Sequence, residues 1–525
     1  MISTRAKRIG FRLILLIVLI VISALVLGSC SSLPSLGDRS VTTLPSAEQA
    51  NATSLGRAIQ SRVIEHPGLD GLSPLGNPLA AFASRMLLAR HAELAIDAQY
   101  YIWQNDTTGM LLLAELERAA KRGVRVRLLL DDNGISGLDN TLVALAAEPN
   151  FEVRLFNPFT WRHPKWANYI TAFPRLNHRM HNKSFTVDGQ ASIVGGRNIG
   201  DTYFGATDGV LFADLDVLAI GPVVAQVSLE FDRYWASDLA YPVDRIVSRP
   251  TAGALADFHA RVAKLEIDPA TSTYRQTLAQ DRVVLSLLDK TMALTWAHTQ
   301  MLSDPPEKAH GGKAQGERLI DDLAPVFAAT DKSLELVSPY LVLRATGTRD
   351  LGAMSKRGVD VCVLTNSLAA NDVAAVHAGY AKRRKQLLEA GIKLYELPAS
   401  GGPSGERKLT GPFGSSGSSL HAKTFAIDGQ RLFIGSFNFD PRSANLNTEM
   451  GFLIESPMLA QAMHSAFVEE IPLRAYEVSL DADGRLHWLR EENGKMQRYD
   501  NEPETTWSRR MMVRLLSALP IDWLL

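Results

Sequence analysis

Two histidines in matching company set the chemistry this chain could carry. His181, Lys183 and Asp188 precede Gly195, Gly196 and Asn198; His421, Lys423 and Asp428 precede Gly435, Ser436 and Asn438, and every interval is the same. Side chains alternate across a strand, so in each copy the His and the Lys two residues on share a face. Each copy therefore offers an imidazole and an ammonium to one point. Such a pair of copies suits a tetrahedral anion: Lys183, Lys423, Asn198 and Asn438 supply donors for phosphate oxygens while the two histidines flank the phosphorus. Neutral imidazole is a nucleophile near neutral pH and imidazolium is an acid there, so identical residues can divide attack and protonation. A third element follows in each copy, Asp214 and Glu449, with Pro222 and Pro457 eight residues further on. A carboxylate there would accept the Nδ1 proton of a histidine, fix its tautomer and leave Nε2 facing the phosphorus. No metal and no cofactor is expected, because lysines accompany the histidines in place of carboxylate or cysteine clusters.

The elements that must position these residues are duplicated too. Lys121-Arg122-Gly123-Val124 recurs as Lys356-Arg357-Gly358-Val359, and Tyr100 matches Tyr340 at an offset of 240 residues. Each copy lies between a helical stretch, 111–120 or 350–355, and an apolar strand, 126–130 or 361–364. Another strand precedes each helix, at 95–103 and 334–341, and a third follows at 152–156 and 393–397. A loop and the histidine-bearing strand come next. This alternation predicts an α/β fold with two largely parallel or mixed sheets covered by helices. The loops before the histidines differ: 161–177 is aromatic and basic, 399–419 rich in Gly and Ser, and loops in that position often gate a site. Between the halves, 248–317 reads as a connector, helical over 282–296 and unstructured from Ser303 to Gly316.

Composition bounds the rest. In 525 residues, 46% apolar and 21% charged side chains exclude wholesale disorder, and the length predicts several domains. A formal net charge of −1 gives no global field to recruit nucleic acid, so anion binding must be local. Arg5, Lys7, Arg8 and Arg12 precede an apolar run over 13–27, the pattern of an export signal or anchor. The run ends in Leu27-Gly28-Ser29-Cys30, which resembles the lipobox of bacterial lipoproteins and makes Cys30 a lipid anchor. An uncleaved span and a removed signal peptide are the alternatives, the span being short for a bilayer. Residues 31–45 read as a tether, and Cys362 as a buried strand residue. Near the C-terminus, Trp507, Met511, Leu515 and Leu519 accompany Arg509, Arg510 and Arg514; this helix fits a lipid interface and the protein's own core equally well.

The pattern HxKxxxxD followed by Gly-Gly or Gly-Ser and an Asn, present twice, resembles the phospholipase D superfamily over about residues 79–474. The resemblance implies two pseudo-symmetric α/β/α sandwich domains sharing one active site, and a phosphohistidine intermediate resolved by water or an alcohol. His181 is then the nucleophile and His421 the acid and base, with the reverse assignment left open by the near symmetry. Lys183 and Lys423 complete the catalytic set. Asp188 and Asp428 belong to it as supports of the motif, or are turn residues before Gly189 and Gly429. Ser436 and Arg197, beside the glycines, contact phosphate or take a solvated or supporting place. The segments 97–103, 127–133 and 194–201 are similar to bacterial cardiolipin synthases, especially the C-type branch. That implies transfer of a phosphatidyl group from phosphatidylglycerol or phosphatidylethanolamine to phosphatidylglycerol. The rivals are a hydrolytic phospholipase D, an exported phosphodiesterase or nuclease of the same superfamily, and a non-enzymatic envelope scaffold.

The organisation expected is an anchor at 1–30, a tether at 31–75, phospholipase D-like domains at 76–247 and 318–475 separated by the 248–317 connector, and a C-terminal tail from 476. The partners expected are membrane phospholipids, with room for an accessory protein and without nucleic acid. The location implied is the bacterial cell membrane, with the catalytic domains outside the cytoplasm.

Overall fold

One strand, Thr295–Ser303, joins the two halves of the chain into a single 18-stranded sheet among the described residues. The structure is a computed structural model that describes residues 33–37, 39–205, 211–280, 282–311, 317–371, 373–399 and 418–520. Cys30 and the apolar run before it lie outside the described residues.

Each half repeats one strand order. In the first it runs Asp70–Leu75, Asp216–Ile220, Ala191–Gly195, Ser184–Val187, Ala95–Ile102, Arg125–Gly134, Phe151–Phe156, Ala240–Pro242. In the second it runs Thr295–Ser303, Met450–Glu455, Arg431–Gly435, Thr424–Ile427, Ser333–Val337, Asp360–Asn366, Lys393–Leu397, Tyr476–Leu480. The three strands built around the Lys-Arg-Gly-Val repeat pair in parallel and the others antiparallel, so both sheets are mixed. Burial on both faces explains the apolar run Leu128–Leu130, and Arg127 before it is buried in ion pairs with Asp97 and Asp232. Helices Pro78–His91, Thr107–Lys121 and Pro222–Ala236 cover the first half; Leu319–Ala328, Ala345–Lys356 and Pro457–Ser465 occupy the same places in the second. Their starts are written locally: Asn77 accepts from Leu79 and Ala80 ahead of Pro78, and Asp106 accepts from Gly109. A cluster drawn from both halves, including Val194, Val217, Ala422, Ile434 and Phe452, seals them together.

Three expectations are corrected. The stretch 282–296 is helical only over Val283–Leu288 and gives way to the bridging strand. There Ala297 and Thr299 turn inward and His298 and Gln300 outward, a period-two pattern that outweighs helix propensity. The segment after Ser303 is structured as far as Gly311. Asp304 and Lys308 are buried and bonded to each other at 2.8 Å, and Pro306–His310 forms a 3-10 turn. Residues 46–75 contribute two helices and a strand, and even the irregular segment before them is held, with Arg39 donating to Ser237 and Ala240 carbonyls.

After Tyr476–Leu480, two more strands, Leu486–Glu492 and Lys495–Tyr499, widen the second sheet. The last described helix, Trp507–Ser517, packs Val513 against Leu368 and Ala378 and leaves Trp507 and Leu515 exposed. Among the described residues no helix is long and apolar enough to cross a membrane.

Candidate active site

Each histidine is tied to the opposite half before its side chain is considered. Met180 bridges Thr448, and the His181 N–H donates to the Thr448 carbonyl at 2.8 Å. Ser418–Leu420 pairs in parallel with Leu211–Ala213, and the His421 N–H donates to the Ala213 carbonyl at 2.8 Å. Thr448 and Ala213 are the residues immediately before Glu449 and Asp214. The backbone crossing therefore delivers each carboxylate to the other half's histidine: His181 Nδ1 lies 2.7 Å from Glu449 Oε2, and His421 Nδ1 lies 2.6 Å from Asp214 Oδ2. With its carboxylate ionised, Nδ1 carries the proton and Nε2 presents the lone pair.

The lysines lie inside this frame. Lys183 Nζ donates to the His181 carbonyl at 2.6 Å, and Lys423 Nζ sits 2.8 Å from His421 Nδ1 and 3.2 Å from its Nε2. The two clusters share one field. Burial first, then the charges of Lys183 and Lys423, hold His181 well below the usual imidazole value. Burial and Lys423 bring His421 down to about 4, with Lys183 adding to the effect. Lys183 is itself pushed down to about 7 by burial, opposed by Glu449 and aided by Lys423. The site is thus short of negative charge, the state in which an entering phosphate binds best.

The carboxylates differ. Burial raises both, but His421, Lys423 and Arg197 hold Asp214 below the ordinary carboxylate value. Glu449 stays raised to about 7 by burial, although Lys183 and two serine hydroxyls oppose that. Ser436 Oγ donates to Glu449 Oε2 at 2.5 Å and Ser443 Oγ to Oε1 at 2.7 Å.

Other residues named from the sequence stand elsewhere. Asp188 and Asp428 lie roughly 15 Å along the strand from their motif's lysine, five residues on. Asp188 accepts from the backbone of Glu93, Leu94 and Ala95, and Asp428 from Asp331, Lys332 and Ser333. Both have positive φ, at 53° and 55°, in the turn after the histidine strand. They hold two strands in register and touch no reacting group. Ser436 gives its hydroxyl to Glu449, so it supports the carboxylate in place of phosphate. Arg197 is buried and donates to the carbonyls of Leu75, Gly76 and Asp214. Asn198 accepts from Ile102 N–H and donates to Tyr203 Oη, holding a loop and a ring. Asn438 is buried, its backbone N–H donating to Ser443 Oγ and its side-chain oxygen accepting nothing among the described residues.

The sequence reading missed the rings and the brace. Tyr101 packs edge-on against His181 with centroids 5.1 Å apart, and Tyr203 against His421 at 5.2 Å. Asp304 Oδ2 accepts the Glu449 N–H at 2.9 Å and the Lys308 ammonium at 2.8 Å. Nothing in the spacing marks Asp304, but Tyr101 stands in the 97–103 segment that carries the family resemblance.

The family described as "Cardiolipin synthase, PLD-like domain" matches residues 88–235 and again 323–471, each span holding one His–Lys pair and one carboxylate. The chain belongs to that family. Escherichia coli (strain K12) has a relative, Cardiolipin synthase C, that is 48% identical over 471 residues, covering 90% of this chain and 99% of the relative. A Cardiolipin synthase of Staphylococcus aureus (strain Mu50 / ATCC 700699) is 23% identical over 78% of this chain and 68% of its own. The phosphatidylserine synthase structure from Haemophilus influenzae Rd KW20 superposes over 90% of this chain and 100% of its own with a TM-score of 0.55 at 15% identity, which establishes the shared fold. This member of the cardiolipin synthase family is an enzyme, of the phosphatidyltransferase type.

Proposed function

We propose that this enzyme makes cardiolipin, moving a phosphatidyl group from phosphatidylglycerol or phosphatidylethanolamine to a hydroxyl of phosphatidylglycerol through a phosphohistidine. The observation that carries the reading is the crossed pairing of each histidine's Nδ1 with the other half's carboxylate, which leaves Nε2 as the reactive nitrogen of two histidines that both feel the charges of Lys183 and Lys423. His181 Nε2 attacks phosphorus, and the bond to the departing glycerol or ethanolamine oxygen breaks as His421 gives that oxygen a proton. His421 then takes the proton of the incoming phosphatidylglycerol hydroxyl, whose oxygen displaces His181 from phosphorus. Lys183 and Lys423 hold the phosphate oxygens.

The carboxylates support this division of roles. Asp214 is held ionised beside His421, and the negative charge of the entering phosphodiester adds to it, so His421, neutral in the empty site, takes up a proton from solvent when substrate binds and can then act as the acid. Glu449 titrates near neutrality beside His181, which favours a neutral nucleophile. The 48% identity to Cardiolipin synthase C supports the lipid product. The N-terminal run and Cys30 support a lipid anchor that keeps the catalytic halves at a membrane, outside the cytoplasm.

The test is incubation of the purified full chain in mixed micelles with phosphatidylglycerol, with and without phosphatidylethanolamine, and mass spectrometry of the lipids. Cardiolipin from the native chain and none from His181→Ala or His421→Ala is the expected result. Phosphatidic acid alone would make the enzyme a hydrolase and overturn the transferase reading.

A further inference from the structure

The loop before His181 folds into a 3-10 turn, Lys165–Ala167, and a helix, Asn168–Leu176, broken at Ala172 and Pro174. Trp166 stands on the 3-10 turn, Ile170 on the helix and Phe173 just past the break at Ala172. They are 67%, 72% and 39% exposed. An aromatic and aliphatic set of this kind marks a surface built to meet something apolar.

Its base is anchored. Arg162 pairs with Asp132 and Asp139, Lys165 with Asp132 at 3.0 Å, and Arg442 donates to the Asn177 carbonyl at 2.9 Å. The segment 159–179 carries four Lys or Arg and two His, with no Asp or Glu, in a chain whose net charge is −1. Three of those cations are paired with Asp131, Asp132 and Asp139, which leaves one positive charge in excess on the segment, at Arg175. Phe173 also reaches a cavity that adjoins the histidine through one ring. Phe173, Tyr169 and Tyr101 line one cavity of about 390 Å³ with Arg179 and Arg442, and Tyr101 packs on His181.

We propose that this segment is the membrane-docking lip of the active site: Trp166 and Ile170 enter the interface of an anionic phospholipid bilayer, and a headgroup passes along Phe173 and Tyr101 to His181. The inference rests on the reading that the substrates are phospholipids. A bilayer is the occupant favoured because three exposed apolar side chains, Trp166, Ile170 and Phe173, and one wall of the cavity beside Tyr101 lie on one short segment that carries no carboxylate of its own.

The test uses the full chain carrying His181→Ala, so that insertion is read without turnover. A fluorophore is placed on Ile170→Cys or, as a control, on exposed Met496→Cys, with the otherwise unsubstituted chain giving the background from Cys30 and Cys362. In phosphatidylethanolamine–phosphatidylglycerol vesicles bearing nitroxide acyl chains, strong quenching at 170 and little at 496 is expected. Equal quenching at both positions, or none at 170, overturns the proposal. A second arm compares Trp166→Ser/Ile170→Ser with the native chain. The rate on bilayer phosphatidylglycerol is expected to fall about tenfold or more, while that on monomeric short-chain phosphatidylglycerol stays native. Loss on both substrates, or on neither, overturns it. Quenching at 170 with no cardiolipin from the native chain would leave docking standing and remove the assigned product.

Discussion

Asp214 and Glu449 hold equivalent places in the two halves, one methylene apart in length, and their surroundings differ to match. A Cβ at Gly196 would fall 2.1 Å from Asp214 Oδ1, so the shorter carboxylate packs against bare backbone. At the corresponding position Ser436 fills the space and donates to Glu449. The next residue is Arg197 in the first half, a buried cation beside Asp214, and Phe437 in the second, buried and uncharged. One histidine is thus backed by a fixed negative charge and the other by a group that titrates near neutrality. A repeated fold delivers two histidines symmetrically; the residues beside the glycines decide that they are not equivalent.

The largest effect should come from removing either histidine. His181→Ala and His421→Ala should each lower kcat by about 10³-fold or more, and the double variant should be little worse than either, since the pair acts as one unit. About half the native rate in each single variant would mean two independent sites. Next come the carboxylates, where the comparison can be broken: Asp214→Asn should cost about 10³-fold and Glu449→Gln only about 10 to 100-fold in kcat, because only the former removes a fixed charge. Equal losses would show that the two halves work alike.

The pH profile sharpens the same contrast. Glu449 is ionised above about 7 and Lys183 loses its charge above about 7, so kcat/KM of the free enzyme should be bell-shaped around neutrality. The Ser436 hydroxyl stabilises the ionised Glu449. Ser436→Ala should therefore raise the Glu449 pKa and move the acid limb to higher pH, leaving the alkaline limb in place. An unmoved acid limb would assign it to another group. Smallest in activity, yet measurable in stability, are the motif aspartates. Asp188→Asn should cost about 1–3 kcal/mol in thermal or denaturant unfolding through its three backbone N–H partners, with kcat per folded molecule unchanged. Asp428→Asn, in a more exposed turn, should cost less.

Those aspartates show where reading a sequence stops. They recur in register with the histidine and lysine, but five residues of strand reach roughly 15 Å, which carries them to the turn at the far end, and only the structure shows the backbone N–H groups they meet there. Asp304 is the opposite case: Ser-Asp-Pro-Pro reads as linker, yet the aspartate is buried because it receives the Glu449 N–H. The bridging strand was hidden by a helix-like stretch beside it, and its place between the sheets depends on partners at Asp70–Leu72 and Met450–Glu455 that no local pattern names.

By itself the sequence determined the repeat, the α/β class and the family, because period-two strands, their helices and the doubled His–Lys interval are local patterns written twice. Only the tertiary structure decided which carboxylate meets which histidine. His421 and Asp214 are 207 residues apart and His181 and Glu449 268 apart, and the crossing follows from backbone bonds between halves, which form only once both sheets are packed on their shared core.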